Sequence, residues 1–145
     1  MNEINGILID WAENYFKSRD AYEKKIMDIK KNDNILEIQY KDKLLKIISS
    51  NNLSDIDIGN FIIITLNNRR NVDYLASNWK KFADFNLLKI YFINPLSTTE
   101  KKWIITPFIH DKVCDSSSLR QGLLSMFETV EPLTEEILKA KALKV

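Results

Sequence analysis

At 145 residues, with 45% hydrophobic and 28% charged residues, the chain suits one domain with a single core. Three Gly and three Pro are too few for a linker-rich chain, and a formal net charge of +1 favours neither nucleic acid nor a membrane surface as partner. Cys114 is the only cysteine and His110 the only histidine, which excludes an internal disulfide and a zinc site needing about four such ligands.

The basic charge is mostly Lys; Arg occurs only at Arg19, Arg69, Arg70 and Arg120. Arg is the better fork for phosphates and base edges, so this balance disfavours a dedicated nucleic-acid reader. Met1 to Asp10 lacks the basic and apolar segments of a signal peptide. The longest apolar runs, Phe61–Ile64 and Tyr91–Ile93, are too short to span a bilayer. A cytoplasmic, reducing location is expected, with no membrane partner.

In chain order, Ile4, Leu8, Trp11 and Tyr15, with Ile7 beside them, predict an amphipathic helix over roughly residues 3–18. Turn signals at 31–34 and 40–43 separate β-leaning runs at 24–30, 34–40 and 43–49, a three-stranded antiparallel meander. In its middle strand Leu36, Ile38 and Tyr40 share one face and Glu37 and Gln39 the other, as in a sheet with one wet face. After a polar stretch at 51–59, Phe61 to Leu66 is apolar on both faces, which suits a strand covered on both sides. Asn67 and Asn68 stop it and can cap the helix predicted over 70–84 by Val72, Leu75, Ala76, Trp79, Phe82 and Ala83. Leu87 to Ile93 is a second doubly buried strand, completing a βαβ unit.

Asn94-Pro95 ends that strand, and 96–101 reads as a polar loop. A short strand at Trp103–Thr106 stops near Pro107, and the segment after it reads as a loop. Ser118-Leu119-Arg120-Gln121 matches a capping box, opening a helix with Leu119, Leu123, Met126, Phe127 and Val130 on its apolar stripe until Pro132. Gly122 inside that helix suggests close packing. A charged helix over Thr134–Leu143 ends the chain. The expected fold is α/β (α+β): a mixed sheet with an N-terminal helix, the meander, the βαβ unit and C-terminal helices. Residues 1–131 form the expected domain and 132–145 a short helical tail.

Three constellations could carry chemistry. On the polar face of the meander, Asp28, Glu37, Gln39 and Lys46 alternate with apolar neighbours. Aligned, they gather carboxylates and a lysine that could hold Mg²⁺ against a phosphate. The plainer reading is a solvated sheet face. The run Met27-Asp28-Ile29, a turn, then Leu36-Glu37-Ile38-Gln39 resembles the motif of the PD-(D/E)XK nuclease superfamily, and the order of elements over roughly residues 1–94 resembles that fold. The resemblance implies Asp28 and Glu37 as metal ligands for Mg²⁺, Gln39 as the phosphate-facing position and nucleic acid as substrate. Met27 stands in place of the family's Pro and Gln39 in place of its usual Lys.

The second constellation lies where sites sit in open α/β sheets, at the carboxyl ends of parallel strands. Asn67, Arg69, Arg70 and Asn94 are the candidate ligand-binding residues there, although the turn has no Gly to let backbone approach a phosphate. The third is His110 with Asp111, Cys114 and Asp115, a nucleophile-and-base pairing on a predicted loop. No set is complete. The expected function is a small non-catalytic binding or interaction domain with no cofactor, meeting a protein partner or a second copy of itself. The alternative is a metal-dependent nuclease-like protein, active or degenerate.

Overall fold

The computed structural model describes residues 3–142. Helix α1 (Glu3–Asp20) leads into β1 (Ile26–Asn32), β2 (Ile35–Tyr40) and β3 (Leu44–Ser49). A segment with one 3₁₀ turn at Leu53–Asp55 connects β3 to β4 (Ile62–Leu66), followed by α2 (Arg69–Ser77), α3 (Trp79–Ala83), β5 (Lys89–Ile93) and β6 (Lys102–Ile105). Helices α4 (Pro107–Val113), α5 (Leu119–Phe127) and α6 (Glu135–Ala142) follow, with a 3₁₀ turn at Ser116–Ser118.

All six strands form one mixed sheet in sequence order, which gives the expected α+β class. The meander pairs antiparallel, β3, β4 and β5 run parallel, and β6 turns back against β5. The predicted parallel neighbours around Phe61 and Leu87 are β4 and β5, bridged by α2 and α3. The β3–β4 pairing is also parallel, although no α-helix makes that crossover. The β1–β2 turn places Asp33 at φ 53°, a region that Asp tolerates better than most residues.

Strand alternation divides the sheet into two faces. On one, Leu36, Ile38, Ile47, Ile64 and Tyr91 pack against Ile4, Leu8 and Phe16 of α1 and Leu138 of α6. On the other, Ile63, Ile90, Phe92 and Trp103 pack against Leu75 of α2, Phe82 of α3 and Leu123 of α5. Phe92 and Trp103, opposite each other in register, stack at 4.3 Å between ring centroids. Lys31 ties β1 to α1 through Asp10 and Glu13, both at 2.9 Å. Those contacts raise the Lys31 ammonium, and with Lys17 they hold the Glu13 carboxyl below its ordinary value.

Several elements differ from expectation. On α1 the buried stripe is Ile4, Leu8, Ile9, Ala12 and Phe16, while Trp11 and Tyr15 are half-buried and stack on each other at 5.1 Å. The single helix expected over 70–84 is two, because the Asn78 side chain donates to the Tyr74 carbonyl at 2.9 Å and its backbone leaves helical angles (φ −118°, ψ 27°). Residues 107–113 are helical rather than a loop, with Pro107 at the first turn, where its missing N–H costs nothing. The capping box does not form: Ser118 Oγ donates to the Asp115 carbonyl, and Asp115 caps the 3₁₀ turn by accepting from Ser117 N. Helix α5 stops at Phe127, and nothing lies within 4 Å of a Cβ built on Gly122, so close packing does not explain that glycine.

The segment set off as a tail packs into the domain over its described residues. Leu133 and Leu138 join the core under α1, Leu133 N donates to the Asn67 carbonyl at 2.9 Å, and Asn51 Nδ2 donates to Glu135 at 2.8 Å. The expected helix end at Leu143, and the last residues of the tail, lie outside the described residues.

Candidate functional site

The two faces are covered unequally. Beyond β3, the face that carries α2, α3 and α5 ends, so the meander shows Asp28, Lys30, Gln39, Leu44 and Lys46 to solvent, with Glu37 half-buried among them. This placement follows from alternation: residues two apart along each strand share the face, and register lines them up between strands. Lys30 pairs with Glu37 on the adjacent strand, and Glu37 pairs with Lys46 on the next. Asp28 pairs with Gln39, next to an irregularity between Ile26 and Asp28. Asp28 and Glu37 are therefore diagonal neighbours.

Asp28, Glu37 and Gln39 line one depression of about 330 Å³, together with Lys30 and Leu44. Lys46 is in register with Glu37 but does not line it, and its ammonium lies 5.6 Å from the centre of the Phe61 ring. Gln39 staples the β2–β3 turn, its Nε2 donating to the Tyr40 carbonyl at 2.7 Å and the Lys43 carbonyl at 3.0 Å. Its amide donors are thereby engaged by backbone rather than free for a phosphate. Among the described residues no group of three or more His, Cys, Asp or Glu is placed to hold a metal ion. Lys30, two residues beyond Asp28, joins this face by the same alternation, but in the sequence nothing sets it apart from the other lysines.

At the carboxyl ends of β4 and β5, Asn67 and Asn94 come together, and both face chain rather than open space. Asn67 Nδ2 donates to the carbonyls of Phe127 (3.1 Å) and Val130 (2.9 Å), while its Oδ1 accepts from Trp103 Nε1 at 2.7 Å. Asn94 Nδ2 donates to the Glu131 carbonyl at 2.8 Å, and its Oδ1 accepts from Leu96 N. Asn68 caps α2 by accepting from Asn71 N. Asn71, missed in the sequence, donates to the Asn51 carbonyl, Thr65 Oγ1 and the Leu66 carbonyl, and accepts from Leu53 N. Arg69 and Arg70 are exposed on the outer side; Arg69 Nε pairs with Asp73 at 3.2 Å, and Arg70 lines a shallow hollow with Glu135 and Glu136.

The His110 group is dispersed. Asp111 accepts from Trp79 Nε1 at 2.7 Å, and that bond, with Lys80 nearby, holds its carboxyl below the ordinary value. The His110 ring lies edge-on to Trp79, and its Nε2 has no hydrogen-bond partner among the described residues. Cys114 Sγ lies against the Asp115 carbonyl at 3.4 Å. A nucleophile needs a base within hydrogen-bond reach, and Cys114 and His110 meet only through backbone. Comparison with known proteins adds no relative to this geometry: no family model, no curated protein and no solved structure matches the chain.

Proposed function

We propose that the chain is a small non-catalytic binding domain, and that the open face of β1–β3 is its contact surface for a protein partner or a second copy of itself. The supporting observation is the row Lys30, Glu37 and Lys46, running across three strands with Asp28 diagonal to Glu37. Two carboxylates and two ammonium groups cancel on this face. Opposite charges directly across strands favour each other. A neutral face gains little from releasing the counterions of a phosphate backbone, which drives nucleic-acid binding. It suits instead a protein surface with its own alternating charge, where complementarity sets register and specificity.

A second reading rests on one observation: Asp28, Glu37 and Gln39 line the same depression. In a nuclease-like protein of PD-(D/E)XK type, Asp28 and Glu37 would hold Mg²⁺. The lysines on either side of Glu37 compete with a cation there, so the donor set fits the metal poorly.

Thermal melts separate the two. Under the binding-domain reading, Mg²⁺ or Mn²⁺ leaves Tm unchanged, neither DNA nor RNA is cut, and Asp28→Ala behaves as the parent. A metal-dependent rise in Tm that Asp28→Ala abolishes overturns it in favour of the nuclease-like reading. Sedimentation equilibrium then tests the second copy, since a Lys30→Glu, Lys46→Glu double variant should lower any self-association of the parent.

A further inference from the structure

The two ends of the parallel strands are built differently. At their carboxyl ends, where ligands sit in most open α/β sheets, the crevice is filled by Asn67, Asn94 and residues 127–131. At their amino ends, where α1 stops and β3, β4 and β5 begin, a cleft of about 390 Å³ lies open. That volume is in the range of small-molecule sites, roughly 300–1,000 Å³.

Its floor is apolar and aromatic. Phe16, Ile62 and Tyr91 close it from below, each at most 6% exposed, and the half-buried Tyr40 and Leu45 supply its open apolar surface. Its rim carries Arg19, Lys43 and Lys89, all exposed. The acids around it are largely engaged. Asp20 accepts from Lys25 N at 2.8 Å with one oxygen and from Ile26 N at 2.9 Å with the other. Glu23 pairs with Lys25 at 3.1 Å. With Lys25 offset by Glu23, Arg19, Lys43 and Lys89 face Asp20 and Asp42, which leaves a formal net charge of +1 around the cleft.

Two of the cations are steered by rings. Arg19 donates to the Tyr15 hydroxyl at 3.3 Å, which uses one of its five N–H groups, and the Lys43 ammonium lies 5.3 Å from the centre of the Tyr40 ring. Burial pushes the Tyr40 phenol up and the Tyr91 phenol up to about 12, so both stay neutral at ordinary pH and keep an O–H.

We propose that this cleft binds a small organic anion, with one carboxylate or phosphate head held by Arg19, Lys43 and Lys89 and a ring-sized apolar body seated against Tyr40 and Leu45, above Phe16, Ile62 and Tyr91. The site lies apart from the open meander face, so it stands or falls independently of the function proposed above. Head and body are both required: an ammonium or guanidinium group at an exposed rim gives little on its own, and the apolar floor gives no preference for charge.

The test titrates the whole chain with four probes, followed by NMR amide shifts. Benzoate and phenyl phosphate carry both features, benzyl alcohol lacks the charge, and inorganic phosphate lacks the body. Benzoate or phenyl phosphate should saturate with Kd of about 1 mM or tighter, with shifts centred on Arg19, Lys43, Lys89 and Tyr91, and the two partial probes should bind about tenfold more weakly. An Arg19→Gln, Lys89→Gln double variant should lose about tenfold in affinity with little change in Tm, whereas Lys30→Gln on the meander face should lose none. Failure of both full probes to saturate, equal binding of all four, or undiminished affinity in the double variant overturns the proposal. Preference between benzoate and phenyl phosphate identifies the head group.

Discussion

Asn67 is fully buried at the end of β4, and its side chain joins three parts of the chain distant in sequence. The amide holds the Phe127 and Val130 carbonyls, and the carbonyl holds the Trp103 indole. Asn67→Ala would strand the Trp103 indole N–H and the Val130 carbonyl away from water, while the Phe127 carbonyl keeps its bond from Val130 N. Each unsatisfied group costs about 1–3 kcal/mol, so the variant should lose about 2 kcal/mol or more, read from the urea midpoint. Arg69→Ala removes one exposed ion pair and should cost under about 1 kcal/mol. Near-equal losses would mean that water replaces the amide and that the lock is weak. The same residue shows where reading the sequence runs out. Position 67 was legible as a strand end, and asparagine there suggested a ligand group, but its partners lie more than thirty residues away and only the folded chain brings them in.

At the scale of elements, turn signals and apolar runs made every strand of the sheet visible, and β4 and β5 have too little polarity to be anything but covered. What it hid were features set by side-chain hydrogen bonds. Asn78 looked like an ordinary position in one long helix, and its bond to Tyr74 makes two. Ser118 looked like a helix cap, and its hydroxyl is spent on Asp115. The C-terminal helix looked separable because its sequence is so charged, yet Leu138 is fully buried while its neighbour Ile137 is 43% exposed. That contrast gives a paired prediction. Leu138→Ala should cost about 2–5 kcal/mol, as large-to-small changes in a core do. Ile137→Ala should stay within about 0.5 kcal/mol. Denaturant midpoints of the two variants decide it, and similar small values would return α6 to the status of a dispensable tail.

For the molecule as a whole, the covering of the sheet predicts a gradient of stability across it. All of β4 is buried and has an apolar layer on each face, whereas no residue of β1 is buried and its outer edge is unpaired. Opening β1 exposes little apolar surface, while opening β4 breaks both cores. Local unfolding free energies follow such differences. Native-state hydrogen exchange should therefore show β4 and β5 amides exchanging only by global unfolding and β1 amides exchanging through a cheaper local opening. Equal protection in β1 and β4 would contradict this. The gradient also bears on function. A partner seated on the open face of β1–β3 would add the missing layer there and raise protection in β1 and β2, whereas an anion in the cleft at the strand amino ends would act on residues near Arg19, Lys89 and Tyr91. Exchange measured with and without each binder thus assigns it to one surface, since neither layer can be completed from the other side of the sheet.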